Sequence, residues 1–172
     1  PRDMDVNLIS AHERLPILMP HLHLPVQSGS NKILKAMNRG YTVEEYLDIV
    51  DRLRDARPDI ALSSDFIVGF PGETREDFEA TLSLVEKVNF AQAYSFKYSP
   101  RPGTPAADLN SHVDQEISTQ RLACLQRLLD QQQLNFNQSK VGTKLKILIE
   151  KPGRNCGQMI GKSQYMQAVH VE

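Results

Sequence analysis

The sequence has no unbroken apolar stretch approaching the roughly 18–20 residues that cross a bilayer, so no membrane-spanning helix is expected. It has only two cysteines, Cys124 and Cys156, far apart and in different contexts. Two isolated thiols make no disulfide framework and favour a reducing, cytoplasmic setting. Neither forms a metal-ligand spacing with the other or with any of the five histidines, so no metal site is expected in this chain. The opening residues, Pro1-Arg2-Asp3-Met4-Asp5, contain no apolar signal region and no initiator Met, and read as cut from a longer protein. What remains is globular in character. With 172 residues, 40% hydrophobic and 24% charged, the chain suits one domain with a small appendage.

The net charge of −1 conceals an uneven distribution. Residues 139–172 hold six basic side chains (Lys140, Lys144, Lys146, Lys151, Arg154 and Lys162) against Glu150 and Glu172, a local +4 that leaves −5 for residues 1–138. A basic end on an acidic body suits a nucleic-acid grip attached to a second domain. Ordinary surface solvation is the plainer reading of the same lysines.

Residues 3–13 suit a short helix ended by Pro16 and Pro20. His21 to Val26 alternates as a strand does. Ser30 caps a helix to about Asn38, with Gly40 as its stop. Thr42 and Glu45 form a capping box ahead of the stripe Val43, Tyr46, Leu47, Val50 and Leu53. Ile60–Val68 reads as a central strand. Thr74 and Asp77 cap a helix burying Phe78, Leu82, Val85 and Val88, and residues 90–98 suit a third strand. Alternation of strand and helix with short loops implies parallel strands joined by right-handed crossovers, in either a (β/α) barrel segment or a doubly wound sheet. Beyond Pro100, Pro102 and Pro105, a long helix over about 114–137 turns Ile117, Leu122, Leu125, Leu128 and Leu129 inward. The alternating run Lys144–Glu150, a turn at Pro152-Gly153, and segments 157–162 and 167–171 then suggest the start of a small all-β barrel.

Ligands of parallel α/β proteins gather at the carboxyl ends of strands. Two such ends are informative: LPVQSGSNKILKAMNRGYT, from Leu24 to Thr42, and SSDFIVGFPGETREDF, from Ser63 to Phe78. In this order, and followed by YSFKYSPRPGTPAA, they resemble the middle strands of the radical SAM methylthiotransferases. The segment from Ser139 resembles the TRAM domain of those enzymes. The resemblance implies the second half of a partial (β/α) barrel over residues 1–138 and a truncated TRAM barrel over 139–172.

It also implies roles. Gln27 resembles the amide that holds the methionyl or ribose part of S-adenosyl-L-methionine (SAM). Arg39 resembles the arginine that pairs with the SAM carboxylate, which a guanidinium does bidentately. Asp65 is placed like the carboxylate that accepts from ribose hydroxyls, and Ile67-Val68-Gly69 like the stretch flanking adenine. Lys140, Lys144, Lys146, Lys151, Arg154 and Lys162 become candidates for gripping a tRNA backbone, with Lys144 and Lys146 expected on one strand face.

The wording is nearest the branch that methylthiolates isopentenyl-adenosine beside the anticodon in tRNA. A sister branch acts on an aspartate of a ribosomal protein, and a non-enzymatic RNA-binding module is the alternative from another class. The family carries two [4Fe-4S] clusters, whose cysteine motifs this chain lacks; Cys124 and Cys156 do not replace them. The fragment is therefore expected to be inactive alone, and no catalytic residue is assigned in it. The sulfur and electron donors remain unassigned.

Plainer readings accompany several of these residues. Arg39 before Gly40 suits a helix C-terminus. His21 and His23, on the strand face of Gln27, suit satisfied interior histidines. Arg101 suits either a substrate-facing rim or a solvated loop. Glu73 is read as a first-turn carboxylate, and Cys124 as a small apolar filler.

Overall fold

The computed structural model describes residues 1–109 and 111–172. It contains two three-stranded sheets. The first is parallel, in the order β1 (His21–His23), β2 (Ala61–Val68), β3 (Gln92–Lys97). Helices α1 (Val6–Arg14), α2 (Asn31–Ala36), α3 (Val43–Ala56), α4 (Arg75–Val88) and α5 (Gln115–Ser139) accompany it. The second sheet is antiparallel and follows α5: β4 (Ile147–Pro152), β5 (Met159–Ser163) and β6 (Ala168–Val171). The mixed α/β class with a parallel sheet agrees with the sequence.

Both expected capping boxes form. The Thr42 and Thr74 hydroxyls each accept from the third helical amide, while Glu45 and Asp77 reach back to the cap amides. Helix α3 buries Tyr46, Val50 and Leu53, and α4 buries Phe78, Thr81, Leu84, Val85 and Val88. Leu84 rather than Leu82 takes the inner position on α4, and Leu82 packs at the margin. Phe66 of β2 meets Phe90 edge to face at 5.5 Å in the centre of the core. Each such fully buried side chain contributes on the order of 1.5–3 kcal/mol.

Three sequence expectations need correction. Helix α2 ends at Ala36, short of the expected Asn38, and Gly40 is not its stop. Asn38 adopts the left-handed conformation (φ 56°), and the amides of Asn38 and Arg39 bond back to Lys35 and Leu34. That is a Schellman closure made with Asn instead of Gly. Ile117 of α5 is 44% exposed, and its neighbour Ser118 points inward with Leu125, Leu129 and Gln132. Pro152 belongs to β4 itself, so the turn comes after it, closed by Gly153 N–H donating to Gln158 at 2.6 Å.

Strand β1 is shorter than its alternation suggests because Pro25 has no N–H to continue the ladder. The gap is repaired by side chains. The Ser64 hydroxyl accepts from Val26 N–H at 3.0 Å and donates to Leu24 C=O at 3.1 Å, and Tyr46 donates to the same carbonyl at 3.0 Å. Pairing resumes at Gln27, which bridges to Phe66.

Candidate site at the strand ends

Gln27 is the pivot of the site. Its N–H donates to Asp65 C=O and its C=O accepts from Ile67 N–H, both at 2.9 Å, which ties the end of the first chain segment to β2. It does so with φ at 74°, a left-handed backbone seldom adopted by a long side chain, and it is nearly fully buried. Strain of this kind persists only where surrounding contacts enforce it, and it collects at ligand sites. The next residues are held equally firmly. Gly29 N–H donates to the Thr81 hydroxyl at 2.9 Å, and a Cβ on Gly29 would collide with the α4 backbone at Ala80 and Thr81.

Asp65 lies within two residues of both ends of that bridge. Its carboxylate is only part-buried, at 28% exposure, and meets His23 Nε2 at 3.4 Å. The other ring nitrogen of His23 contacts the Ser63 hydroxyl at 2.9 Å. His23 is thus satisfied as expected, yet it stands on an open sheet face rather than in the interior. The same geometry revises the reasoning about Asp65. Its strand is apolar on one face only, so the carboxylate is not buried among hydrocarbons. Ile67 follows on the same face, half-buried. His21, one pleat back, is held below its ordinary pKa by burial and by the neighbouring His23.

Arg39 lies apart from this cluster, exposed, and among the described residues its guanidinium has no hydrogen-bond partner. Its loop is nevertheless anchored beside Gln27, since Tyr41 donates to Val26 C=O at 3.1 Å. That tyrosine, like Ser64, was missed by sequence reasoning. Its signal was weak, a lone aromatic after a glycine.

Gly69 ends β2 at φ 72°, and a Cβ there would run into Ser118 of α5. Its N–H is already taken, donating to Glu73 Oε2 at 2.8 Å. Glu73 itself precedes the Thr74 cap, so it is a buried loop residue and not a first-turn carboxylate. Arg121 of α5 donates to the same oxygen at 2.6 Å, while Glu73 Oε1 has no partner among the described residues. Burial raises the Glu73 pKa, against the lowering effects of the Gly69 and Arg121 bonds. On the loop's other side, Asp77 accepts from Lys32 at 2.6 Å and from the Ser30 hydroxyl at 2.7 Å. Partial burial opposes ionisation there, but the bonds from Lys32, Thr74 and Ser30 outweigh it and hold that carboxyl well below the usual range.

The basic candidates of the second sheet separate into three environments. Lys140 is enclosed, its ammonium 4.7 Å from the Phe136 ring centre and 4.6 Å from that of Tyr165. Lys144 and Lys146 are exposed but precede β4, which begins at Ile147, so they do not share a strand face as expected. Register places Lys151 opposite Ile160 and Ile160 opposite His170, with Lys162 two residues further along β5. These side chains occupy one sheet face. Lys151, Arg154, Asn155 and Gln158 line an open hollow of about 610 Å³ together with His170, a residue sequence reasoning passed over.

Of the two thiols, Cys124 is half-buried on α5 and Cys156 is exposed in the β4–β5 turn. Among the described residues no three His, Cys, Asp or Glu side chains gather as a metal-ion site. This donor set does not fit an iron–sulfur cluster. No helix of the described residues is long and apolar enough to cross a membrane.

Residues 5–85 match the model of the radical SAM superfamily. Across all 172 residues the chain is 59% identical to tRNA-2-methylthio-N(6)-dimethylallyladenosine synthase of Zymomonas mobilis subsp. mobilis, covering 39% of that protein. It is 60% identical, also over its whole length, to the protein of the same name from Jannaschia sp. strain CCS1, covering 37% of it. The chain thus spans about two fifths of the length of these curated relatives.

Proposed function

We propose that the chain is part of a radical SAM tRNA methylthiotransferase, contributing part of the SAM pocket and an RNA-gripping end. Residues 1–138 form the second half of a partial (β/α) barrel in this reading, and 139–172 a TRAM segment. The reaction is methylthiolation of N6-isopentenyl-adenosine beside the anticodon, carried out in the cytoplasm.

The observation that supports this most directly is the backbone bridge from Gln27 to Asp65 and Ile67. It sets an amide, a carboxylate and an apolar wall at one strand end, under a strained backbone. Asp65 accepts from ribose hydroxyls, and His23 holds that carboxylate in place. The open guanidinium of Arg39 pairs with the amino-acid carboxylate, on a loop that Tyr41 pins to the same strand end. Ile67 supplies apolar contact to the adenine. Gly69 does so only through its Cα and carbonyl, since Glu73 occupies its N–H. When bound, SAM supplies the methyl group and the radical chemistry of the family. The cluster that such chemistry requires finds no ligand set among the described residues.

The hollow lined by Lys151, Arg154 and His170, with Lys144, Lys146 and Lys162 near the same sheet, contributes phosphate contacts that set RNA affinity without reading sequence.

Mass spectrometry of nucleosides from bulk tRNA tests the reading. Deleting the gene should abolish methylthio-isopentenyl-adenosine and let isopentenyl-adenosine accumulate. An unchanged tRNA profile in an organism that makes the modification would refute it, in favour of the ribosomal-protein branch or of an RNA-binding module.

A further inference from the structure

One face of the parallel sheet carries two aromatic rings that the SAM residues do not use. Tyr94 is 51% exposed and Phe96 55%, whereas Phe66, Phe70 and Phe90 around the same sheet are at most 5% exposed. The two rings stand two residues apart on β3 and therefore on one face. Register sets Tyr94 beside Asp65 and Phe96 beside Ile67. Directly paired residues share a face, so the rings extend the surface already formed by His23, Asp65 and Ile67, one strand further out. Tyr94 is held by its rim, its hydroxyl accepting from Gln92 Nε2 at 3.0 Å.

Neighbouring exposed aromatics on a sheet are the means by which proteins hold unstacked bases, and an apolar patch of this kind marks a binding surface. Resting on the function proposed above, we propose that Tyr94 and Phe96 form the platform for the substrate base: an RNA-borne adenosine with an apolar N6 substituent. The SAM purine is the other source of the same chemistry. It is less suited, because Gln27, Asp65 and Ile67 place that molecule over the first two strands. A base carried by a polymer reaches the outer strand directly. The platform then presents that base edge-on to the carboxylate side of the site, and Phe96 beside Ile67 gives the N6 hydrocarbon an apolar resting place.

The test is equilibrium binding to the full-length protein, so that turnover is not the readout. The probes are an anticodon stem-loop bearing N6-dimethylallyladenosine, the same RNA with plain adenosine, and SAM alone. Wild type should prefer the prenylated RNA. Tyr94→Ala and Phe96→Ala should each weaken the prenylated RNA by about tenfold and largely erase the preference. SAM affinity should stay within about twofold, and Tyr94→Phe, which keeps the ring, should retain the preference. Both rings are exposed, so thermal melting should be unchanged in all three variants. Loss of SAM affinity with both RNAs unaffected would assign the platform to the cofactor's purine and overturn the proposal. Unchanged binding of every probe would show an idle face. Failure of wild type to distinguish the two RNAs would sink the substrate assignment itself, a result separate from any variant.

Discussion

Arg121 and Glu73 are 48 residues apart in sequence and joined at 2.6 Å, with side chains 12% and 1% exposed. The same carboxylate oxygen accepts from Gly69 N–H, so a helix outside the sheet determines the shape of the loop that closes β2. Arg121 also lies over the Phe78 ring, 5.6 Å from its centre, which fixes the guanidinium from a second direction.

Removing Arg121 should therefore be severe. Arg121→Ala leaves a buried carboxylate uncompensated, and a loss of about 3–5 kcal/mol is expected in urea unfolding at neutral pH. Glu73 titrates above its unfolded value when folded, so its contribution is fullest at low pH and is lost as pH rises through the folded pKa. Without Arg121 that folded pKa rises further. The deficit of the variant should shrink as pH falls toward about 5, and a pH-independent deficit would contradict the pairing.

Gly69→Ala should cost about 2–4 kcal/mol, from the left-handed backbone together with overlap on Ser118. In the Ser118→Gly background only the overlap is relieved. A double-mutant cycle on melting temperature should then show positive coupling, whereas strict additivity would place the whole penalty in the backbone.

Asp77 links two helices, since Lys32 and Ser30 approach it from α2 while it caps α4. Asp77→Ala should destabilise by about 1–3 kcal/mol at pH 7. Its folded pKa is depressed, so its contribution is present above the ordinary carboxylate value of 3.8 and lost as pH falls through the folded one. Denaturation curves of variant and wild type should converge in strong acid.

The basic residues should divide by function. Lys151→Ala and Arg154→Ala should each reduce the slope of log affinity against log salt for a tRNA by about one. Lys140→Ala should leave that slope alone and lower the melting temperature, because its ammonium is spent on Phe136 and Tyr165. Fluorescence anisotropy across a salt series distinguishes the two behaviours.

Local chemistry was the legible part of this molecule. The capping boxes at Thr42 and Thr74 depend on residues three apart, and they formed as read. So did the β–α alternation, which needs only short-range periodicity. Contacts between distant segments were not legible. Nothing near Ser64 announces that its hydroxyl repairs the ladder broken at Pro25, 39 positions before it. Ile117 was expected inward on hydrophobicity, but the space under Gly69 admits only a small residue, so Ser118 takes that place. In the candidate site the backbone of Gln27 does meet those of Asp65 and Ile67, although its register partner is Phe66 on the other face of β2, whereas the Lys140 expectation could not foresee an aromatic enclosure built from α5 and the β5–β6 turn.

Tyr165 packs with Ala61 and Ala91, where β2 and β3 begin, and Gln167 donates to Ala91 C=O. The second sheet is therefore fastened at the opposite end of the strands from Gly69, a span of roughly 23 Å along β2. The attachment and the strand-end site are thus separated by most of the length of β2, so loosening Tyr165 leaves the Gln27 bridge and the Gly69 loop in place.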